Sequence, residues 1–125
     1  MITLWNCCGL VTPQNDPNRE IDRKLRVNPE LFLVGKSRGK IISSVMGGYE
    51  GHRGWINYLA VDPDYRRKGY GRIIMLEIER RLKAIGCPKI NIQIRETNIS
   101  VIRFYEALGF SNDHAISFGK RLEYN

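Results

Sequence analysis

The chain has 125 residues, a formal net charge of +7 and 42% hydrophobic residues, enough to bury one core with little length left for a second domain. No apolar run approaches the roughly 18 residues that a membrane span needs, and the N-terminus lacks a basic leader and a small-residue cleavage site. We therefore expect a single domain over residues 1–125, located in the cytoplasm.

The N-terminal part of the chain predicts two short helices. Residues 2–8 are typical of a helix end that is too short to be stable alone. Asp16 followed by Pro17 favours a helix start, because the carboxylate can cap free N–H groups and the fixed φ of proline suits the first turn. Ile21 and Leu25, four residues apart, then lie on one face of this second helix.

Three β-rich segments follow these helices. ELFLVGKS and GKIISSVMGGY predict two strands that are joined by a tight turn at residues 37–39. EGHRG predicts a loop, because it combines glycine with charged residues. WINYLAVDP then predicts a third strand, which ends at Pro63.

The second half of the chain alternates helices and strands. The spacing of Ile74, Ile78, Leu82 and Ile85 predicts an amphipathic helix that ends at Gly86. The strict alternation in KINIQIR predicts a strand, TNISVIRFYEALGF predicts a short helix, and HAISFGKRL predicts a last strand. This order of elements predicts an α/β sheet domain.

The three cysteines give no sign of a metal site. Cys7 and Cys8 are adjacent and Cys87 is distant, so neither a C-x-x-C pair nor the Cys/His spacing of a zinc site is present. We therefore expect buried, reduced thiols and no bound metal.

The densest local pattern is YRRKGYGR, residues 65–72, which combines two glycines with four cations. Such a turn between a strand and a helix can bind a phosphate, because the helix N-terminus has unpaired N–H groups and glycine lets a ligand approach the backbone. A P-loop would need Lys-Ser/Thr where Arg72 and Ile73 stand, and a dinucleotide fingerprint would need glycine at Ile74. The pattern alone leaves a basic turn without a ligand as an equal alternative.

Two segments together resemble the GNAT family of acetyl-coenzyme A-dependent N-acetyltransferases. Arg66-x-x-Gly69-x-Gly71, after NYLAVDPDY and before an amphipathic helix, is similar to motif A of the family. IRETNISVIRFYEALGF, with Asn98 seven residues before Tyr105, is similar to motif B. ITLW, NDP, LFLV and VMGGYEGHRG further resemble a YpeA-like bacterial branch. The resemblance implies an α/β GNAT fold, in which a mixed central sheet, splayed between its two central strands, is flanked by helices.

The resemblance also implies acetyl-CoA as cosubstrate. The strand before the glycine loop would bind the pantetheine arm through the backbone of Leu59, Ala60 and Val61, and an N–H near Val61 would stabilise the developing oxyanion. The loop would bind the pyrophosphate, with its basic side chains near the 3′-phosphate. The remaining residues implied in coenzyme binding are Arg66, Arg67, Lys68, Gly69, Tyr70, Gly71, Arg72 and Asn98. For Asn98, capping a helix is an equal alternative.

The resemblance identifies a candidate acid more clearly than a base. Tyr105 matches the general acid of the family, which protonates the departing thiolate, and packing in a core is its alternative role. Where relatives carry a glutamate as base, this chain has Trp55 and Gln93. Glu50 and His52, on the loop before the third strand, are the remaining candidates, alongside a water relay or an acceptor that arrives neutral.

We therefore expect an enzyme that transfers acetyl from acetyl-CoA to a primary amine of a small molecule or protein, by direct attack in a ternary complex. The alternative is a non-catalytic CoA-binding or regulatory module. A nucleic-acid-binding domain rests on the net charge alone, so neither a nucleic-acid nor a membrane partner is expected. The first strand of the family is expected to be missing here, and a homodimer could cover the edge that this exposes.

Overall fold

The computed structural model describes residues 1–10 and 16–123. These residues form two compact units, the first ending at Asn91 and the second beginning at Ile92. The helices of the first unit are α1 Ile2–Cys7, α2 Pro17–Arg26 and α3 Tyr70–Ala84. Its strands are β1 Phe32–Ser37, β2 Lys40–Tyr49, β3 Gly54–Val61 and β4 Ile90–Asn91. The second unit contains helix α4, Ile99–Ala107. Within the two described ranges, no helix is both long enough and apolar enough to cross a membrane.

The four strands form one mixed sheet in the order β1-β2-β3-β4. β1 and β2 form the predicted hairpin, whose two turn residues, Arg38 and Gly39, both have a left-handed backbone (φ 52° and 79°). Such a turn matches the twist of the flanking strands and so sets their register. β2 pairs antiparallel with β3, and β3 pairs parallel with β4. The predicted mixed sheet flanked by helices is therefore confirmed.

Helices α1 and α3 cover opposite faces of the central strand β2. Its residues alternate between the two faces, so that Ser44 contacts α1 while Gly47 lies against Ile78 of α3. Because both faces are covered, six consecutive residues of β2 are buried, which explains its nearly continuous run of apolar and small residues. A side chain at Gly47 would collide with Ile78, since an added Cβ would lie 2.8 Å from Cδ1.

Helix α3 supplies the largest part of the core in the first unit. Ile74, Met75, Ile78 and Leu82 are all buried, and burial of each such side chain stabilises the fold by about 1.5–3 kcal/mol. Ile85, which the periodicity places on the same face, lies beyond the end of the helix and is 47% exposed. The predicted helix is thus confirmed up to its last turn.

Helix α2 begins where the sequence predicts. The Asp16 carboxylate accepts a hydrogen bond of 2.9 Å from the Asn18 N–H, and Pro17 occupies the first turn. The predicted shared face is less buried than expected, because Ile21 is half-buried and Leu25 is 57% exposed. The net result is a largely polar helix that contributes little to the core.

Two strand predictions are wrong: one strand is shorter than predicted and the other does not form. KINIQIR forms a strand only at Ile90–Asn91, because the ladder with β3 contains just two residue pairs. HAISFGKRL forms no strand, and its apolar residues Ile116, Phe118 and Leu122 are 84%, 93% and 90% exposed. Alternation makes a segment suitable for a sheet, but a strand also needs a neighbouring backbone to pair with.

The prediction of three buried thiols is also wrong in part. All three cysteines are free, but Cys7 is exposed, while Cys8 and Cys87 are partly buried. Cys7 is the last residue of α1 and Cys8 follows it as the C-cap, so the two side chains point in different directions and cannot both face the sheet.

Candidate active site

Strand β3 contains a bulge in the middle of the segment predicted to bind the coenzyme. Ala60 pairs with Ser44 and Asn57 with Met46, so two residues of β3 lie opposite one of β2. Tyr58, in this bulge, has a left-handed backbone with φ of 52°, which is strained for a residue with a side chain. Strain of this kind persists only where surrounding contacts hold it, and it clusters at functional sites.

The ladder between β3 and β4 ends early. It pairs Gly54 with Ile90 and Trp55 with Asn91, the last residue of the first unit, whereas β3 continues to Val61. The stretch of β3 that contains Leu59, Ala60 and Val61 therefore lies beyond this ladder. A backbone edge of this kind can pair with an extended ligand.

The C-terminal end of β3 is held by two side chains. The Val61 carbonyl accepts hydrogen bonds from the Arg66 Nε–H at 3.1 Å and from the Cys8 thiol at 3.2 Å. Arg66, which the sequence predicts as a ligand of the pyrophosphate, is thus bonded through Nε to the strand that precedes the loop. It fixes the direction in which the chain leaves β3.

The glycine loop leads into a helix N-terminus that no side chain caps. Gly69 is the N-cap residue, with a left-handed φ of 84°, and Arg67 is also left-handed with φ of 63°. The first turn of α3 contains no acidic residue and receives no side-chain cap, and the first helical hydrogen bond runs from the Ile73 N–H to the Gly69 carbonyl. The N–H groups of Tyr70, Gly71 and Arg72 therefore have no partner within the helix and can bind an anion.

A basic cleft of about 410 Å³ opens beside this loop. Its lining residues come from the hairpin turn, the glycine loop and the residue just before that loop: Ser37, Arg38, Lys40, Asp64, Tyr65 and Lys68. The ammonium groups of Lys40 and Lys68 lie 6.0 Å and 5.5 Å from the centre of the Tyr65 ring. The sequence pattern indicated Lys68, but it did not indicate Arg38 or Lys40, which come from another part of the chain.

Asp62 organises the segment that connects β3 to the glycine loop. Its carboxylate accepts a hydrogen bond from the Asp64 N–H at 2.9 Å and forms a 3.2 Å ion pair with Lys40. The backbone bond from Asp64, followed by the Lys40 contacts, lowers the pKa of Asp62. The same pair raises the pKa of Lys40, so both groups are charged near neutral pH.

Glu50 and His52 lie at the other end of β3 from Val61. The Glu50 carboxylate accepts hydrogen bonds from the backbone N–H groups of His52 and Arg53, and the Arg53 bond is the main reason for its lowered pKa. At about 3.3 Å per residue, the seven residue steps of β3 separate this loop from Val61 by roughly 20 Å. Trp55, near the same end, is 38% exposed.

The second unit contains the other predicted site residues. Asn98 is the N-cap of α4, and its side-chain oxygen accepts a 3.4 Å hydrogen bond from the Val101 N–H, as its capping role predicts. Tyr105 is 5% exposed and packs edge-on against Phe104 and Phe110, with ring centres 5.1 Å and 5.5 Å away. This burial raises the pKa of Tyr105 to about 12, so the group is a neutral phenol at physiological pH. Gln93 donates to the Ser117 hydroxyl at 2.6 Å.

Sequence reasoning missed a buried group of residues behind the bulge. The Trp5 indole Nε1–H donates to the Ser44 hydroxyl at 3.0 Å, and that hydroxyl donates to the Tyr58 carbonyl at 3.1 Å. The rings of Trp5 and Tyr58 stack with centres 4.3 Å apart. A tryptophan on a very short helix and a serine in a buried strand were the available signals. We call these three residues the bulge relay.

Across ranges 1–10 and 16–123, the structure brings together no group of three His, Cys, Asp or Glu residues that could hold a metal ion.

Comparison with known proteins identifies the family of the chain. The model described as "Acetyltransferase (GNAT) family" matches residues 1–110, which include both segments that carry the predicted resemblance. An acetyltransferase of Yersinia pestis (strain Pestoides F) is 50% identical over 122 residues, covering 98% of this chain and 86% of that protein. The predicted family resemblance is therefore confirmed.

Solved structures show the same fold. Ard1 from Thermoplasma volcanium has a TM-score of 0.77 at 22% identity and covers 88% of this chain and 75% of its own. Glucosamine-6-phosphate N-acetyltransferase from Arabidopsis thaliana has a TM-score of 0.68 at 26% identity, covering 98% of this chain and 89% of its own. The predicted fold class is confirmed by these similarities.

Proposed function

Because the chain belongs to the acetyltransferase (GNAT) family, we propose that it transfers an acetyl group from acetyl-CoA to a primary amine by direct attack in a ternary complex. The observation that carries this proposal is the uncapped N-terminus of α3, which the glycine loop connects to the strand segment beyond the β3–β4 ladder. A thioester whose other end carries phosphates needs both features at once. One is a backbone edge for the amide-containing arm, and the other is a set of N–H donors for the phosphates.

The residues at this site fit the coenzyme chemically. The N–H groups of Tyr70, Gly71 and Arg72 would bind the pyrophosphate, and the charges of Arg67 and Lys68 would add longer-range attraction. Such cations act on phosphates even where they make no direct contact, because clustered charge raises the local concentration of an anionic ligand. Gly69 presents no side chain, and an added Cβ there would meet no atom within 4 Å, so a ligand has room to approach.

The backbone of Leu59, Ala60 and Val61 would hold the pantetheine arm. When bound, acetyl-CoA supplies an activated acyl group, and an N–H of this segment would stabilise the negative charge that develops on its carbonyl oxygen. The Val61 carbonyl is bonded to Arg66 and Cys8, which fixes the end of the segment before any ligand binds. Such preorganisation reduces the entropy that ligand binding would otherwise cost.

Tyr105 would act as the general acid. A general acid must be protonated before the reaction, and a pKa of about 12 keeps the phenol neutral throughout the physiological range. The amine must also lose a proton, and Glu50 and His52 are poorly placed to accept it, since the length of β3 separates them from Val61. We therefore propose that a water relay removes this proton, or that the amine has already lost it to solvent and binds in its neutral form. Asn98 caps α4, and it would either bind the coenzyme arm as well or have this capping role only.

The acceptor would be a small-molecule or protein amine. The Arabidopsis relative with 26% identity is named for an amino-sugar phosphate, which is one primary-amine class to include in a screen. Polyamines, aminoglycosides and peptide N-termini are the other classes that share this nucleophile.

A binding experiment followed by an acceptor screen tests the proposal. Thermal unfolding would be measured with acetyl-CoA, 3′-dephospho-CoA, ATP and NAD. We expect a saturable rise with acetyl-CoA, a smaller rise without the 3′-phosphate, and transfer of labelled acetyl to at least one amine class. No rise with acetyl-CoA in a folded sample would contradict the proposal. A rise without transfer to any acceptor would favour the alternative, a CoA-binding module without activity.

Tyr105→Phe tests the assigned acid once an acceptor is known. The variant should lower turnover by about 100-fold, because a general acid contributes roughly 10²–10⁴-fold, while acetyl-CoA affinity should change little. Tyr49→Phe is the matched control, because it removes a phenol hydroxyl that bonds to the carbonyls of Gly51 and Gly86 in the first unit. Equal loss of turnover and affinity in Tyr105→Phe would refute the role.

A further inference from the structure

Two members of the bulge relay, Trp5 and Ser44, are fully buried and hydrogen-bonded behind its third member, the strained Tyr58 of β3. Trp5 and Ser44 are each 0% exposed. The Ser44 hydroxyl accepts from Trp5 and donates to the Tyr58 carbonyl, so both its donor and its acceptor function are used. A hydroxyl held at both ends cannot rotate to another partner without leaving a buried polar group unpaired. The relay therefore fixes the direction of the Tyr58 carbonyl.

The direction of that carbonyl fixes the next N–H group. No peptide bond among the described residues is cis, and in a trans peptide the C=O and the following N–H point in opposite directions. Since the Tyr58 carbonyl points at Ser44, the Leu59 N–H points away from Ser44 and Trp5. This N–H is the first donor after Tyr58, on the stretch of β3 that lies beyond the ladder with β4.

The stacked rings support the same geometry. Trp5 and Tyr58 are nearly parallel, with an interplanar angle of 20°, so the indole restrains the Tyr58 side chain as well as the Ser44 hydroxyl. Without such contacts, a tyrosine with φ of 52° would relax toward the β region and the bulge would change its shape.

We propose that Trp5 and Ser44 are positioning residues, which hold the Tyr58 bulge so that the N–H groups from Leu59 onward meet the acyl-thioester end of the coenzyme. This inference rests on the proposed function, since it concerns how β3 binds that substrate. Neither residue touches the substrate, and both act through the backbone of β3. The glycine loop, which would bind the phosphates, is outside the relay.

This separation gives a sharp experiment with two ligands. Acetyl-CoA uses both β3 and the loop, whereas adenosine 3′,5′-bisphosphate carries only phosphates and nucleoside and reports on the loop. Dissociation constants for both would be measured by calorimetry for the unaltered chain, Ser44→Ala and Trp5→Phe. Trp5→Phe removes the indole N–H and keeps an aromatic ring against Tyr58, so it remains informative if Ser44→Ala fails to fold. Circular dichroism would establish that each variant is folded.

Ser43→Ala is the matched control. Ser43 is the neighbouring buried serine of β2, 3% exposed, and its hydroxyl takes no part in the relay. We expect Ser44→Ala to bind acetyl-CoA about tenfold more weakly, Trp5→Phe to show a smaller loss, and both to bind the bisphosphate as the unaltered chain does. Ser43→Ala should bind both ligands normally.

Three results would overturn this inference without affecting the proposed function. They are unchanged acetyl-CoA affinity in both relay variants, equal loss of both ligands, and a loss in Ser43→Ala that matches the loss in Ser44→Ala. If the unaltered chain bound neither ligand, the proposed function would fail and this inference would fail with it.

Discussion

The two left-handed glycines at the ends of α3 allow the proposed phosphate site to be separated from the stability of the helix. Gly69 precedes α3 with φ of 84°, and Gly86 follows it with φ of 90°. An added Cβ at either position would meet no atom within 4 Å, so alanine would cause no collision. The remaining cost is conformational, about 1–2 kcal/mol for an L-residue in this region. Gly69→Ala and Gly86→Ala should therefore destabilise the protein equally.

Their effects on ligand binding should differ. At about 4 °C per kcal/mol for a chain of this size, each variant should lower the midpoint of thermal unfolding by roughly 4–8 °C. Only Gly69 lies beside the free N–H groups of α3, where a Cβ would enter the path of a bound phosphate. We expect Gly69→Ala to weaken acetyl-CoA binding about tenfold, equivalent to about 1.4 kcal/mol, and Gly86→Ala to leave it unchanged.

Thermal unfolding and calorimetric titration with acetyl-CoA would measure both effects on the same samples. Titration at a temperature well below both midpoints keeps the two variants folded. If the two variants lost acetyl-CoA affinity equally, the effect would come from destabilised α3, and the argument for a phosphate site at its N-terminus would be refuted.

Three further predictions concern packing, alkaline stability and the base. Gly47→Ala should lower the free energy of unfolding in urea by about 1–3 kcal/mol, because the added Cβ would collide with Ile78. Gly48→Ala is the control, because a Cβ there makes no close contact, and an equal loss in both variants would contradict the prediction. Burial raises the pKa of Tyr105 to about 12, against about 10 in the unfolded chain, so the neutral phenol stabilises the folded state. This contribution is complete below pH 10 and is lost as the pH rises toward 12. Between pH 9 and pH 11, the unaltered chain should therefore lose more unfolding free energy than Tyr105→Phe does. Equal losses in the two proteins would contradict this prediction. Glu50→Gln should change kcat/KM less than about threefold, and a loss of 100-fold would identify Glu50 as the base.

Local signals in the sequence were sufficient for much of the first unit. The hairpin turn, the Asp16-Pro17 helix start and the amphipathic α3 each depend on residues within one element, and all three are confirmed. The strand–loop–helix order around YRRKGYGR was also predictable, because glycine and a change in hydrophobic period mark its boundaries. These features arise from backbone conformation and side-chain spacing, which each segment carries by itself.

The alternating segments show the limit of such signals. KINIQIR alternates strictly and HAISFGKRL alternates only over Ile116 and Phe118, yet the first gives just a two-residue strand and the second gives none. Alternation states which face of a strand can be buried, but pairing depends on which backbone lies alongside. That information is not contained in either segment.

The candidate site divides in the same way. The sequence by itself determined the glycine loop, the start of α3 and the cations on the loop, since these follow one another along the chain. Only the tertiary structure decided that Trp5 and Ser44 meet Tyr58 at the bulge, and that Lys40, from the β1–β2 hairpin, pairs with Asp62 just before the glycine loop. Contacts between residues 14 and 39 positions apart depend on how the helix and strands pack, which no local pattern specifies.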